Sequence, residues 1–298
     1  MTSFQPPSAG PPARPELPEG VWRPPVPPEP PAPPSDRDGL PRWPLWAPFA
    51  GMLLTLVIAF VGIAVIAVIA ELAGAETDGD TPGITIGGTY VQDLALIGVA
   101  IFLARVLDRP VTPGKFGIRL PRLRPAVGWT LLAWVSFVVF SAVWAAALGI
   151  TENDDLPAEL GVEDSDLALV TACFLVCVIA PIAEEVFFRA FCFTALRRAL
   201  GMLPAAVLTG IIFGAIHLGG TDLEFIVPLM VFGFFLCLLY VWTGSLVPCI
   251  VLHALNNALA FGVSQDWGGY TVLLMAGAAA LTYLIVLPFA RRPEGAIA

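Results

Sequence analysis

Long apolar runs separated by short polar connections set the pattern of this chain. They lie at about 45–71, 84–104, 127–150, 167–196, 204–218, 225–243, 247–263 and 270–290, against the roughly 20 residues that a helix needs to cross the hydrocarbon core. Eight helices are predicted, which makes the expected fold all-α: a polytopic transmembrane helix bundle. The shortest run, 204–218, reaches only about 22 Å at 1.5 Å per residue. It counts as a span because without it basic connections would fall on both sides of the membrane.

Composition supports the pattern. Hydrophobic residues make up 57% of the chain and charged residues 13%, against about a quarter charged in soluble domains. The net charge of −9 matters less than its distribution. Basic residues precede the first run (Arg37, Arg42), join the second to the third (Arg105, Arg109, Lys115, Arg119, Arg122, Arg124), follow the fourth (Arg197, Arg198) and follow the eighth (Arg291, Arg292). The connections 72–83, 151–166, 219–224 and 264–269 carry Asp and Glu but no Lys or Arg. By the positive-inside rule both termini are expected in the cytoplasm and the acidic loops outside, with the plasma membrane as location. Charge in the loop 105–126 follows from topology alone; anionic lipid head groups are its alternative use. No nucleic-acid partner is expected.

Residues 1–43 are dominated by proline and read as a disordered Pro-rich cytoplasmic tail. Residues 44–165 hold three helices with little polar chemistry and read as scaffold. Among their few polar residues Asp93 is placed near the outer end of its helix, close to water. Trp43, Trp46, Trp129 and Trp242 fall near inner boundaries and Trp144 and Trp267 near outer ones, where they would anchor helices at the interface. The five cysteines lie in predicted helices and read as small packing groups rather than a disulfide framework. Residues 264–298 supply the last helix and a short cytoplasmic tail.

The chemistry is concentrated in residues 166–263. Ionisable groups at bilayer depth cost about 2.5–3.5 kcal/mol each even on lenient scales, yet Glu184, Glu185 and Arg189 sit within the run 167–196. Glu185 and Arg189 are four apart, the spacing of a helical ion pair, which gives them a supporting role and leaves Glu184 for another task. The chain has only two histidines, His217 and His253, both in predicted helices, and Asn257 follows His253 on the same face. Counted from the cytoplasmic helix ends, Glu184, His217 and Asn257 lie roughly 18–20 Å deep, with His253 one turn shallower. A carboxylate beside an imidazole can take a proton from water, while an imidazole and an amide can donate to an oxyanion. The same groups suit a divalent metal such as Zn, held by Glu184, His217 and His253 with a water in the open position. Both mechanisms fit the residues.

Glu184-Glu185-x-x-x-Arg189, Phe213-x-x-x-His217 and His253-x-x-x-Asn257, in this order on successive apolar helices with Thr243-Gly244-Ser245 and Pro248 before the last, resemble the motifs of the CPBP family of intramembrane proteases. That family includes the type II CAAX prenyl proteases and the bacteriocin-immunity (Abi) proteins. The resemblance covers 166–263 and implies Glu184 as the water-activating base, His217 as its partner, and His253 with Asn257 as oxyanion donors. It implies an intramembrane endopeptidase, glutamic or metal-dependent, acting on a membrane-associated, CAAX-like or lipidated protein or peptide. The alternatives are a non-catalytic membrane immunity or binding protein and a proton-coupled transporter.

Overall fold

The computed structural model describes residues 39–75, 81–151 and 160–290. The proline-rich expectation for 1–38, most of the acidic residues of two connections and the closing residues 291–298 lie outside the described residues. The architecture is all-α. Its helices are α1 (Ala47–Leu72), α2 (Pro82–Leu107), α3 (Leu123–Leu148), α4 (Asp166–Leu200), α5 (Met202–Ala215), α6 (Leu223–Thr243), α7 (Val247–Ser264) and α8 (Tyr270–Val286). Seven of these are long and apolar enough to cross a membrane, and the chain is an integral membrane protein.

The exception is α5. It stops after 14 residues, about 21 Å. Gly214 packs directly on α6, where an added Cβ would lie 2.8 Å from the carbonyl of Ile226 and 3.0 Å from the nitrogen of Met230. Beyond Ala215 the backbone tightens, with His217 N bonded to Gly214 O at 3.1 Å, and then turns through Gly219 at a φ of +96°. The predicted helix 204–218 therefore ends early, and His217 stands in the turn that follows it.

Helices pair as α1 with α2, α5 with α6 and α7 with α8, and α3 lies along α6. The 35-residue α4 runs through the middle and touches α2, α5, α6 and α7. Its Phe187, Phe188, Phe191 and Phe193 are fully buried and form the centre of the larger apolar cluster. A smaller cluster, with Leu175, Val178, Ala254 and Phe261, fills the acidic-loop end. Glu184 and Glu185 lie where the two meet. Outward faces stay apolar, with Phe60, Val143 and Leu273 more than 60% exposed, as a lipid-facing surface requires.

Two sequence expectations about the first helices are corrected. Asp93 is not near water: it is 1% exposed, and its Oδ2 has no hydrogen-bond partner. Since α2 packs against the middle of α4, Asp93 faces protein rather than solvent. Trp43 is not an interfacial anchor either. It is 1% exposed and packs between Phe116 and Phe191, with ring centroids 5.5 and 5.1 Å away. Trp129 and Trp242 stack on each other at 4.7 Å.

Candidate active site

The middle of α4 is not a regular α-helix. It widens to π-helical turns over Leu175–Ile179 and again over Glu185–Phe193. In the first, Ala180 N reaches back five residues to Leu175 O. The next residue in that register is Pro181, which has no N–H to place on the carbonyl of Val176. That carbonyl accepts from Asn257 Nδ2 at 2.9 Å instead. The proline thus frees a backbone acceptor, and the asparagine of α7 satisfies it, tying α7 to the turn just before Glu184. In the second stretch Thr194 Oγ1 donates to Arg189 O at 3.3 Å, which again serves a carbonyl in the widened spiral. Such π-helical bulges gather at functional sites.

The two adjacent acids have different surroundings. Glu185 is fully buried and its Oε1 lies 2.9 Å from Arg189 Nη1, both side chains being 0% exposed. The pair is held by opposite charge at close range. The guanidinium is also stacked over Phe213, its central carbon 4.3 Å from the ring centroid. The same Glu185 Oε1 accepts from His253 Nδ1 at 2.8 Å. Because an ionised carboxylate can only accept, His253 Nδ1 is the donor, and in the neutral form of the ring Nε2 is an acceptor. Phe213 and Phe232 hold the imidazole edge-on, with centroids 5.8 and 5.4 Å away.

Glu184 points to a different place. Its Oε2 lies 3.8 Å from His253 Nε2, beyond hydrogen-bond range, and has no hydrogen-bond partner. His217 Nδ1 donates to Phe213 O at 2.7 Å, so its Nε2 is also left as an acceptor. Glu184, His217, His253, Asn256 and Asn257 all line one cavity of about 520 Å³, within the range that holds small ligands and peptide side chains. Its other walls are mostly apolar and come from α3 (Phe137, Trp144), α6 (Phe225, Leu229) and the end of α7 (Phe261, Ser264). These residues extend from mid-bundle to the acidic-loop ends of the helices.

The four residues expected to form the centre are therefore brought to one cavity, with His253 rather than His217 as the imidazole within 4 Å of Glu184. Among the described residues no group of three His, Cys, Asp or Glu side chains is placed to hold a metal ion. The Nδ1 hydrogen bonds of His253 to Glu185 and of His217 to a carbonyl leave each Nε2 available, an arrangement that metal-ligating imidazoles also adopt. Sequence reasoning missed Asn256 in the cavity wall and the platform that Phe213 gives the Arg189 guanidinium. It also missed the carbonyl of Val176, although Pro181 within an apolar run was a signal that a carbonyl would need another donor.

A polytopic helix bundle whose central helix buries an acid pair against an imidazole, over a cavity with two further polar groups, defines the class. Residues 166–259, from the start of α4 into α7, match the family model described as Type II CAAX prenyl endopeptidase Rce1-like. This match, over about a third of the chain, supports the CPBP intramembrane-protease family for the segment that contains all six candidate site residues. No curated protein and no solved structure gives a significant match.

Proposed function

We propose that this protein is an intramembrane endopeptidase that hydrolyses a peptide bond of a membrane-associated protein or peptide. The observation that carries the reading is Glu184. It is a buried carboxylate with an oxygen that no protein group satisfies, facing an imidazole nitrogen at 3.8 Å in a cavity large enough for a peptide. An unpaired buried acid is costly unless it has work to do.

In this reading Glu184 Oε2 takes a proton from water, and the water oxygen attacks the scissile carbonyl carbon. The proton then passes from Glu184 to the leaving nitrogen as the C–N bond breaks. Glu185, with its charge fixed by Arg189, orients His253 through Nδ1 and stabilises it as an imidazolium when Nε2 is protonated. In that form His253 can donate to the oxyanion. Asn257 uses one amide hydrogen on Val176 O and retains the other for the same oxyanion. His217, an acceptor through Nε2, orients the attacking water from the turn after α5.

The cavity wall on the acidic-loop side indicates that substrate enters from that end or between α3 and α6, and its apolar lining suits a lipid-embedded or lipidated segment. With basic ends cytoplasmic, that end faces outward. The reading is tested by comparing protein termini in membranes of cells that express wild type or Glu184→Gln at equal abundance. New termini with the wild type alone support proteolysis. Identical termini under conditions that alter growth would shift the assignment to an immunity or transport role.

A further inference from the structure

At the end of the bundle opposite the Glu184 cavity lies a second cavity of about 670 Å³, and the two share no lining residue. It is enclosed by four separate stretches: the residues before α1, the α2–α3 connection, the last turns of α4 and the end of α6. Arg42, Lys115, Arg119, Arg197 and Arg198 line it, with one carboxylate, Asp108, among the described lining residues. That carboxylate is already committed, with its Oδ2 3.0 Å from Lys115 Nζ and 3.1 Å from the backbone nitrogen of Arg42.

Two of the guanidinium groups are oriented by neutral carbonyls. Arg119 Nη2 donates to Gly114 O at 2.7 Å, and Arg198 Nη1 donates to Leu40 O at 3.2 Å. A carbonyl fixes direction but cancels no charge, and a guanidinium has five N–H groups to share. Sequence topology explains why cations occur at this end of the bundle. It does not explain their convergence from four segments on one cavity, in a chain whose net charge is −9. Like charges gathered round one cavity repel, and an anion bound there relieves the repulsion. Planar guanidinium groups suit phosphate oxygens in particular.

We propose that this cavity binds a phosphate group. It lies at the level where α1, α2, α4 and α6 end, beside the half-exposed Trp46 and the Trp129–Trp242 stack, so the phosphate can belong to an anionic lipid head group or be free. Occupancy also bears on α4, because Thr194, which lines the cavity, bonds through its hydroxyl to the carbonyl of Arg189. The proposal is independent of the proteolytic reading.

The test uses the full chain in neutral detergent. Its thermal midpoint is followed against phosphatidic acid, against phosphatidylcholine with the same acyl chains, and against inorganic phosphate. The expected result is saturable stabilisation by phosphatidic acid and none by phosphatidylcholine. The double variant Arg119→Gln/Arg198→Gln should weaken the apparent affinity by about tenfold or more. Asp108→Asn, which removes the one carboxylate among the described lining residues, should instead tighten it severalfold. If inorganic phosphate acts as well, the cavity takes the phosphate itself; if only the lipid acts, it takes a head group with its chains. Equal behaviour of the two lipids with no phosphate effect would overturn the proposal. So would saturable binding that neither the double variant nor Asp108→Asn alters.

Discussion

Replacing Arg189 with Met should be among the most damaging single changes in this protein, and the damage should be largely reversible by a second change. Glu185 and Arg189 are fully buried at 2.9 Å. At an effective dielectric of about 20 their attraction is roughly 6 kcal/mol, and most of it repays desolvation of the two charges. Arg189→Met leaves Glu185 charged in an apolar core without its cation and with only the His253 Nδ1–H as partner, at a cost of about 3–5 kcal/mol. A further loss of up to about 2 kcal/mol comes from the guanidinium stacked on Phe213. The pair Glu185→Gln/Arg189→Met removes both charges and keeps an acceptor for His253 Nδ1. It should recover most of the first cost and none of the second, leaving a deficit of about 1–2 kcal/mol. The assay is thermal unfolding in detergent, where the single variant should lose about 10 °C or more on the usual scale of a few degrees per kcal/mol. Activity should not return with stability, because His253 Nδ1 no longer donates to a carboxylate. A double variant as unstable as Arg189→Met, or a single variant as stable as wild type, would refute the reasoning.

Three further outcomes follow from other contacts. Asn257→Ala strands the Val176 carbonyl and should cost about 1–3 kcal/mol, less in a Pro181→Ala background that restores a backbone N–H; unfolding of the four proteins measures the coupling. Gly210→Ala would put a Cβ 2.5 Å from Met230 O and 3.0 Å from Phe234 N, both backbone atoms, so α5 and α6 must part. A stability loss of about 1–3 kcal/mol is expected by thermal unfolding. Asp108 is held below the usual aspartate range, first by the Arg42 backbone N–H and then by Lys115. Its ionisation therefore stabilises the fold fully above about pH 3.9, and that stabilisation is lost as pH falls through the lowered folded value. The stability gap between wild type and Asp108→Asn should close over that acidic interval, and a gap independent of pH would contradict the assignment.

The helices were legible because an apolar run of bilayer length has few other uses. The Glu185–Arg189 contact was legible because helical spacing alone brings residues four apart together, and the widened spiral preserved it. What the sequence could not show was rotation. Which imidazole meets Glu184 depends on how α5 and α7 turn about their axes, and the structure brings His253 to it at 3.8 Å. The run 204–218 looked like a helix throughout because Ile216 and Leu218 are apolar, whereas the close packing of Gly214 and the turn at Gly219 and Gly220 end it early. Asp93 and Trp43 were misplaced for a related reason. Distance along a helix measures depth in the membrane but not whether a side chain faces lipid, water or α4.

The central claim is that the Glu184 carboxylate delivers water to a peptide bond. The most direct measurement reconstitutes purified wild type and Glu184→Gln in liposomes with a membrane peptide library in ¹⁸O-labelled water, and reads the products by mass spectrometry. The account predicts internal cleavage with one labelled oxygen in each new carboxyl group for the wild type, and none for Glu184→Gln at equal folded abundance. Equal cleavage by the two proteins would contradict it.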